Sequence, residues 1–392
     1  MDNETANALY DKLGFLVILG LENSIDFGID LNLWQTTPNF MGLKLIPPGL
    51  HLISYSSVDK TSQIGIKSCF FHVFEPGQLV VKDWDVETES IVDTKLSADE
   101  QTSLKLNIRD LDKKLGAYPS GSDNSFLRWQ KLTRFITPDN LSYCMPKKTV
   151  ISNGFNSATS SSYDEVEHIK ASKKKFAQEI ETLIPESNKA TIIPDHKTFN
   201  YEAFNFNIID LKSSFDPTIH SPFEISKYSM DKSYLLEKTL SNYKPGSVGL
   251  LGEMQLAFII LLIGQNFNGL EHYKMLVGLI TGCEMLLSKT NLVLSLFIPF
   301  LDILQTQLLE CPPDFFTNVL TMDNFLIQCL KNFAVNIDLA ENTSDQMNTL
   351  KKSFNYLRSV FKKKFGVDLP TAQDIINEIE NDPESEYAPT IV

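Results

Sequence analysis

The stretch GLKLIPPGLHLISYSSV (Gly42–Val58) holds two extended runs joined at Pro47-Pro48-Gly49. In the first, Gly42–Pro47, Leu43 and Leu45 share a face, because side chains alternate along a strand. The second, Leu50–Val58, follows the turn directly. Upstream, LGFLVILG (Leu13–Gly20) is a β-rich apolar run that ends at a glycine. FGIDLNLW (Phe27–Trp34) alternates, which reads as one strand with Phe27, Ile29, Leu31 and Leu33 together. Downstream, IGIKSCFFHVF (Ile64–Phe74) and LVVKDW (Leu79–Trp84) flank Glu75-Pro76-Gly77-Gln78. Proline fixes φ and glycine tolerates a positive φ, so this tetrapeptide suits a type II turn. Six short strands with regular turn signals predict an antiparallel β-sandwich or barrel-like domain over residues 10–150.

A helix follows the strands. Ser97-Ala98-Asp99-Glu100 has the form of a capping box, in which the Ser and Glu side chains reach each other's orphan N–H groups. Leu104, Ile108, Leu111 and Leu115 recur at helical spacing, with Gly116 as the expected C-cap. Trp129–Ile136 predicts another short helix. Six of the residues from 152 to 162 are Ser or Thr, and a lysine run follows at Lys173–Lys175. Residues 151–198 therefore read as a flexible Ser/Lys-rich loop. Residues 199–211 read as extended chain returning to the first domain.

From Pro222 to Gly366 the pattern is helical, which defines an all-α second domain over 222–366. Leu251–Leu262 is apolar nearly all round and is expected to be the buried central helix. Leu270–Leu287 carries Met275, Leu279, Gly282 and Leu286 at helical spacing. Pro299 is expected to start or kink a helix rather than sit inside one. Thr343-Ser344-Asp345-Gln346 repeats the capping logic. Met347, Leu350, Phe354, Leu357, Phe361 and Phe365 then form one stripe, with Lys362–Lys364 where cations favour a helix C-terminus. Residues 367–392 contain seven Asp or Glu and no Lys or Arg, and read as a disordered acidic tail. Its end, YAPTIV (Tyr387–Val392), is short and β-prone. Tyr387, Ala388, Thr390 and Ile391 are candidate partner-binding residues, since such an end can add a strand to another protein's sheet.

The 392 residues are 43% hydrophobic and include 26 Phe, which is ample material for two cores. The net charge of −14 opposes binding to phosphate backbones, so direct nucleic-acid binding is not expected and a basic protein surface is the better partner. Five scattered cysteines, odd in number and without a C-x-x-C pair, argue against a disulfide framework or structural zinc and for a reducing compartment. The longest apolar stretches, Leu256–Ile263 and Leu292–Leu301, are shorter than the roughly 20 residues a membrane span needs. No secretory signal opens the chain, so a soluble, intracellular protein is expected.

Motifs for chemistry are lacking. No glycine-rich dinucleotide or phosphate loop occurs, and no G-x-S-x-G. None of the six His is spaced from another as metal ligands are. His272, after Glu271, reads as a surface or packing residue. His51 and His72 lie two strands apart and can meet in a sheet, but no third group orients them in sequence. Asp26 and Asp30 read as solvated strand or turn carboxylates. Lys170–Lys175 and Lys362–Lys364 read as a solvated face and a helix-dipole complement. Catalytic, cofactor and metal residues are all expected to be absent. Trp34, Trp84 and Trp129 suit core positions.

Several stretches together resemble the A1 cistron-splicing factor family. They are DFGIDLNLW (Asp26–Trp34), F-x-G-x-K-x-IPPGLH (Phe40–His51), SYSSVDK (Ser54–Lys60), L-G-x-Y-P (Leu115–Pro119) and W-x-x-L-T-x-F-I (Trp129–Ile136). In the second half come MDKSYLLEKTL (Met230–Leu240), LGEMQLAFIILLIG (Leu251–Gly264), EHYKML (Glu271–Leu276), CPPDFF (Cys311–Phe316) and DNFL (Asp323–Leu326). Their order matches the family across Leu13–Gly366. The resemblance implies an N-terminal β-sandwich-like domain and a C-terminal helical domain similar to the VHS type. It implies a non-catalytic assembly factor that binds the large scaffold protein of the U5 small nuclear ribonucleoprotein (U5 snRNP) at its RNase H-like region. In the family this keeps the late-joining RNA helicase off until maturation, and phosphorylation is held to trigger release. The expected location is the nucleus and the cytoplasm. A cytosolic trafficking adaptor is the competing reading, suggested by the VHS-like half; an enzyme with a site between the domains is the third.

Overall fold

The computed structural model describes residues 9–21, 24–58, 65–120, 124–145, 151–152, 204–211, 214–216, 218–312, 325–340, 343–371 and 373–374. The first half contains β1 (Gly14–Leu19), β2 (Ile25–Ile29), β3 (Asn32–Gln35), β4 (Gly42–Ile46), β5 (Gly49–Ser57), β6 (Ser68–Phe74), β7 (Leu79–Asp85) and β8 (Ser90–Asp93). Then come α1 (Ala98–Leu106), a 3-10 helix (Ile108–Lys114), β9 (Leu115–Ala117), α2 (Ser125–Thr133), α3 (Pro138–Cys144) and β10 (Ile151–Ser152). The strands form two five-stranded sheets, ordered β8-β7-β1-β4-β9 and β10-β6-β5-β2-β3. Leu16, Ile18, Phe27, Ile29, Leu43, Ile53, Tyr55 and Phe70 fill the space between them. The first sheet is mixed: β1 runs parallel to β7 and β4 parallel to β9, while the other pairings are antiparallel.

Phe27–Trp34 is a hairpin, not one strand. β2 and β3 pair antiparallel with Phe27 opposite Trp34 and Ile29 opposite Asn32, which leaves Asp30 and Leu31 as a two-residue loop. Asp30 has φ +56°, a conformation Asp tolerates better than most residues. The reversal brings Asn32 and Trp34 to the face that Phe27 and Ile29 share. Leu33, expected beside Phe27, is turned out and left 58% exposed. The type II turn forms as expected: Gly77 has φ +64° and Gln78 N donates to Glu75 O at 3.1 Å.

The Ser97 capping box is complete, but α1 ends at Leu106 and buries no residue. Its expected continuation is a 3-10 helix, and Gly116 is a strand residue rather than a C-cap. The cause is tertiary. Ile108 and Leu115 pack on Phe15 and Val17 beneath the first sheet, which draws residues 115–117 into line beside β4.

The second half contains α4 (Pro222–Met230), α5 (Ser233–Leu240), α6 (Ser247–Leu262), α7 (Phe267–Thr281), a helical run from Thr290 to Glu310 (α8), α9 (Phe325–Leu339) and α10 (Asp345–Phe365). Gly249–Ile260 of α6 are all buried, as an all-round apolar helix requires. The stripe of α10 is buried from Met347 to Phe361, with Ser344 capping its start and Gly366, at φ +68°, its end. Pro299 stands in the first turn of the α-helical part of α8, Ile298–Glu310, as expected. A π turn over Val293–Phe297 immediately precedes it and absorbs the hydrogen bond that proline cannot make. By length and composition α8 could cross a membrane, which the short apolar stretches did not suggest. Half of its apolar window is buried in the helical core, as in the core helix of a globular domain.

Candidate interaction site: the domain seam and its margins

The two halves meet where α6 lies across the outer face of the second sheet. Leu52, Cys69 and Ile151 from that sheet pack on Leu256, Ile259, Ile260 and Ile263, with Trp129 of α2 and Cys144 of α3 closing the ends. A Cβ at Gly252 would stand 2.3 Å from Phe135 O, so this close approach of α6 to the chain after α2 needs glycine.

Polar bonds cross the same seam. Phe135 N donates to Gln255 Oε1 at 2.8 Å, and Gln255 Nε2 donates to Lys131 O at 2.9 Å. Asn140 Nδ2 donates to Gly249 O at 2.9 Å. At the margin, Arg128 makes a two-pronged bond to Glu310, its Nε donating to Oε1 at 2.8 Å. Arg134 meets Asp302 at 3.0 Å with both side chains half exposed.

At the centre sits Glu253, fully buried. Its Oε1 lies 2.5 Å from His272 Nε2 and accepts from Asn207 N at 3.0 Å; its Oε2 accepts from Asn207 Nδ2 at 2.7 Å. The Cys144 thiol reaches the same Oε2 at 3.7 Å. Burial alone would push the carboxyl up, but the hydrogen bonds from His272 and Asn207, with the charge of His272, outweigh it and hold Glu253 below the ordinary glutamic acid range. Phe206 stacks on the His272 ring at 4.3 Å between centroids. The described part of the returning segment, 204–211, contains no strand; Asn207 and Phe206 pin it to this pair instead.

A second acid–histidine pair lies inside the sandwich. Asp30 Oδ2 is 2.7 Å from His51 Nδ1 and accepts from Tyr118 Oη at 2.7 Å, while Oδ1 accepts from Leu52 N at 3.0 Å. The other ring nitrogen of His51 lies 2.8 Å from Pro47 O. Asp30 is therefore a buried junction and not the solvated carboxylate expected. His51 and His72 do stand opposite each other on β5 and β6. Burial first, then the charges of Lys82 and His51, lowers the His72 pKa against a bond from Gln78.

Neither pair has the form of a catalytic site. Both His51 nitrogens are engaged, its ring is sealed from solvent, and Glu253 is enclosed by donors. The five cysteines are free thiols. Burial pushes Cys69 and Cys311 up to about 12, and burial with the Glu253 charge raises Cys144, so these thiols stay protonated. Among the described residues no group of three His, Cys, Asp or Glu is placed to hold a metal ion.

What remains accessible is surface. α4 buries no residue and holds Phe223 79% and Met230 84% exposed. Beside the seam a cleft of about 240 Å³ is lined by Leu31, Asn32, Leu33, Lys67, Arg128 and Glu310, among others. Lys362 pairs with Asp368, and Lys364 donates to Leu308 O and Leu309 O, completing the C-terminus of α8. The candidate residues Tyr387, Ala388, Thr390 and Ile391 lie outside the described residues, as do Lys170–Lys175 and most of the loop expected at 151–198.

The fold is a β-sandwich riveted to a helical domain, with its two acid–histidine pairs enclosed and apolar side chains of α4 exposed. Residues 12–146 match the family model described as AAR2 N-terminal domain, and residues 206–370 match the AAR2 C-terminal repeat region. The chain is 32% identical over 340 residues to the Protein AAR2 homolog of Mus musculus and to that of Homo sapiens, covering 85% of each chain. It is 30% identical over 375 residues to the Protein AAR2 homolog of Caenorhabditis elegans, covering 93% of this chain and 98% of the relative. The chain belongs to the AAR2 family, the A1 cistron-splicing factors. Membership implies a part in U5 snRNP assembly and splicing.

Proposed function

We propose that this protein is a non-catalytic assembly factor that binds the large U5 snRNP scaffold protein at its RNase H-like region and keeps the late-joining RNA helicase off until the particle matures. The observation that carries the reading is the presence of both family domains, in order, over residues 12–146 and 206–370. The seam supports it: two domains locked by a shared apolar layer and crossed hydrogen bonds present their surfaces in fixed relation, so one partner can engage both at once. Exclusion of a competitor needs only such occupancy and no reaction. The enclosed acid–histidine pairs fit that mode. The end of the chain, with Tyr387, Ala388, Thr390 and Ile391, adds a strand to the scaffold and lengthens the contact. The protein acts in the nucleus and the cytoplasm, where assembly intermediates are built and delivered.

Affinity purification of the tagged chain from growing cells, followed by mass spectrometry and RNA sequencing, tests this. The expected result is recovery of the large scaffold protein with U5 RNA and depletion of the helicase. Recovery of membrane-coat proteins or cargo receptors in their place would overturn the proposal in favour of a trafficking adaptor.

A further inference from the structure

The second sheet ends at β3 among the described residues. Thr36 N donates to Ile25 O at 2.9 Å, which sets the parity of the strand. Asn32, Trp34 and Thr36 turn their backbone groups to β2, so the N–H and C=O of Leu33 and Gln35 point away from the sheet. The cleft opens beside this edge, walled by Leu31, Leu33, Leu262, Ile263 and Pro312.

The polar groups of that cleft are unequally engaged. Its acids are occupied: Asp30 by His51, Tyr118 and Leu52, and Glu310 by Arg128. Its lysine is not. Among the described residues no carboxylate stands within ion-pair distance of Lys67. Burial lowers the Lys67 pKa against the pull of Cys69 and Asp26, as expected for a cation short of a close counter-charge. An apolar-walled cleft with a half-buried lysine beside an open strand edge suits an extended, acidic chain.

We infer that the free edge of β3 and its cleft form a strand-docking site, and that its occupant in the isolated protein is the chain's own acidic segment, residues 375–392. Five carboxylates, at Glu378, Glu380, Asp382, Glu384 and Glu386, precede the β-prone Tyr387–Val392, and the segment has no Lys or Arg to repel Lys67. Pro389 suits an outermost strand, where a missing N–H can face solvent. The segment also starts within reach. Lys364, near the end of α10, binds the carbonyls of Leu308 and Leu309, which immediately precede Glu310 in the cleft wall. From Asp374 onward, 18 residues can extend about 60 Å. The inference does not depend on the splicing role or on whether the segment also reaches a partner.

Residue-resolved amide exchange on the full chain tests it. One variant neutralises the segment (Glu378→Gln, Glu380→Gln, Asp382→Asn, Glu384→Gln and Glu386→Gln); another is Lys67→Glu. Docking predicts that the Leu33 and Gln35 amides exchange at least about tenfold faster in either variant, while core amides such as Ile53 stay unchanged. Equal Leu33 and Gln35 rates in all three proteins would overturn the inference, as would tail-dependent protection at another edge with β3 unaffected.

Discussion

The two buried acid–histidine pairs have similar chemistry and different work. Asp30–His51 ties one domain to itself: its donors come from β5 and from the chain after β9, all within the sandwich. Glu253–His272 joins α6 to α7, and through Asn207 and Cys144 also holds the returning segment and α3. The first sets the register of a hairpin. The second fixes how two domains stand to each other. A buried carboxylate stabilises only where donors surround it, so what it organises is read from where its donors originate.

Removing the acid in each place separates these roles. Asp30→Ala should carry the larger effect, about 4 kcal/mol, because it leaves His51, the Tyr118 hydroxyl and the Leu52 N–H without their acceptor. Chemical denaturation should show the loss, with the Asn207 amide as slow to exchange as before. A loss below about 1 kcal/mol would mean that the hairpin is set by apolar packing alone.

Glu253→Gln should cost less, about 3 kcal/mol, since the amide can still accept one of the Asn207 bonds. Its distinctive sign is local. The Asn207 amide should exchange faster and the thermal transition should broaden or divide as the domains uncouple, neither of which Asp30→Ala should do. A single sharp transition would show that the apolar layer of Leu52, Ile259 and Ile260 suffices to hold the seam.

The same pair predicts a pH dependence. Glu253 is held below its ordinary value, so it binds protons more weakly folded than unfolded. Its contribution is present in full above the unfolded glutamic acid range and fades as pH falls through the lower folded value. The stability gap between the parent chain and Glu253→Gln should therefore be widest near pH 7 and narrow in acid. A gap that widened on acidification would show that the seam does not favour the carboxylate.

The seam is also where sequence reading was weakest. Features written in neighbouring residues were legible: the Ser97 box, the Pro76-Gly77 turn, the apolar α6 and the α10 stripe all form. The misreadings have distant causes. The hairpin turns at Asp30 because a carboxylate there meets the hydroxyl of Tyr118, 88 residues on. Gly116 joins a strand because β4 lies beside it. The π turn before Pro299 was not suggested by helical spacing. Yet the stretches carrying the family resemblance do hold these residues: Asp30 lies in DFGIDLNLW, His51 in IPPGLH and Tyr118 in L-G-x-Y-P, while Glu253 and His272 fall in LGEMQLAFIILLIG and EHYKML. Motifs that looked separate along the chain converge on two buried junctions.

The smallest effects belong at the seam's rim. Arg128 and Arg134 both reach across to α8, in outwardly similar ion pairs. Glu310 is only 6% exposed, whereas Asp302 is 57% exposed. Arg128→Ala leaves a nearly buried carboxylate with its partner gone and should cost about 1–2 kcal/mol. Arg134→Ala leaves Asp302 to water and should cost no more than about 0.5 kcal/mol, less still in high salt. Denaturation of the two variants at low and high salt measures both. If Arg134→Ala proved the costlier, the seam would be held from its solvent-facing rim, and the central Glu253–His272 pair would be filling space that the arginines define.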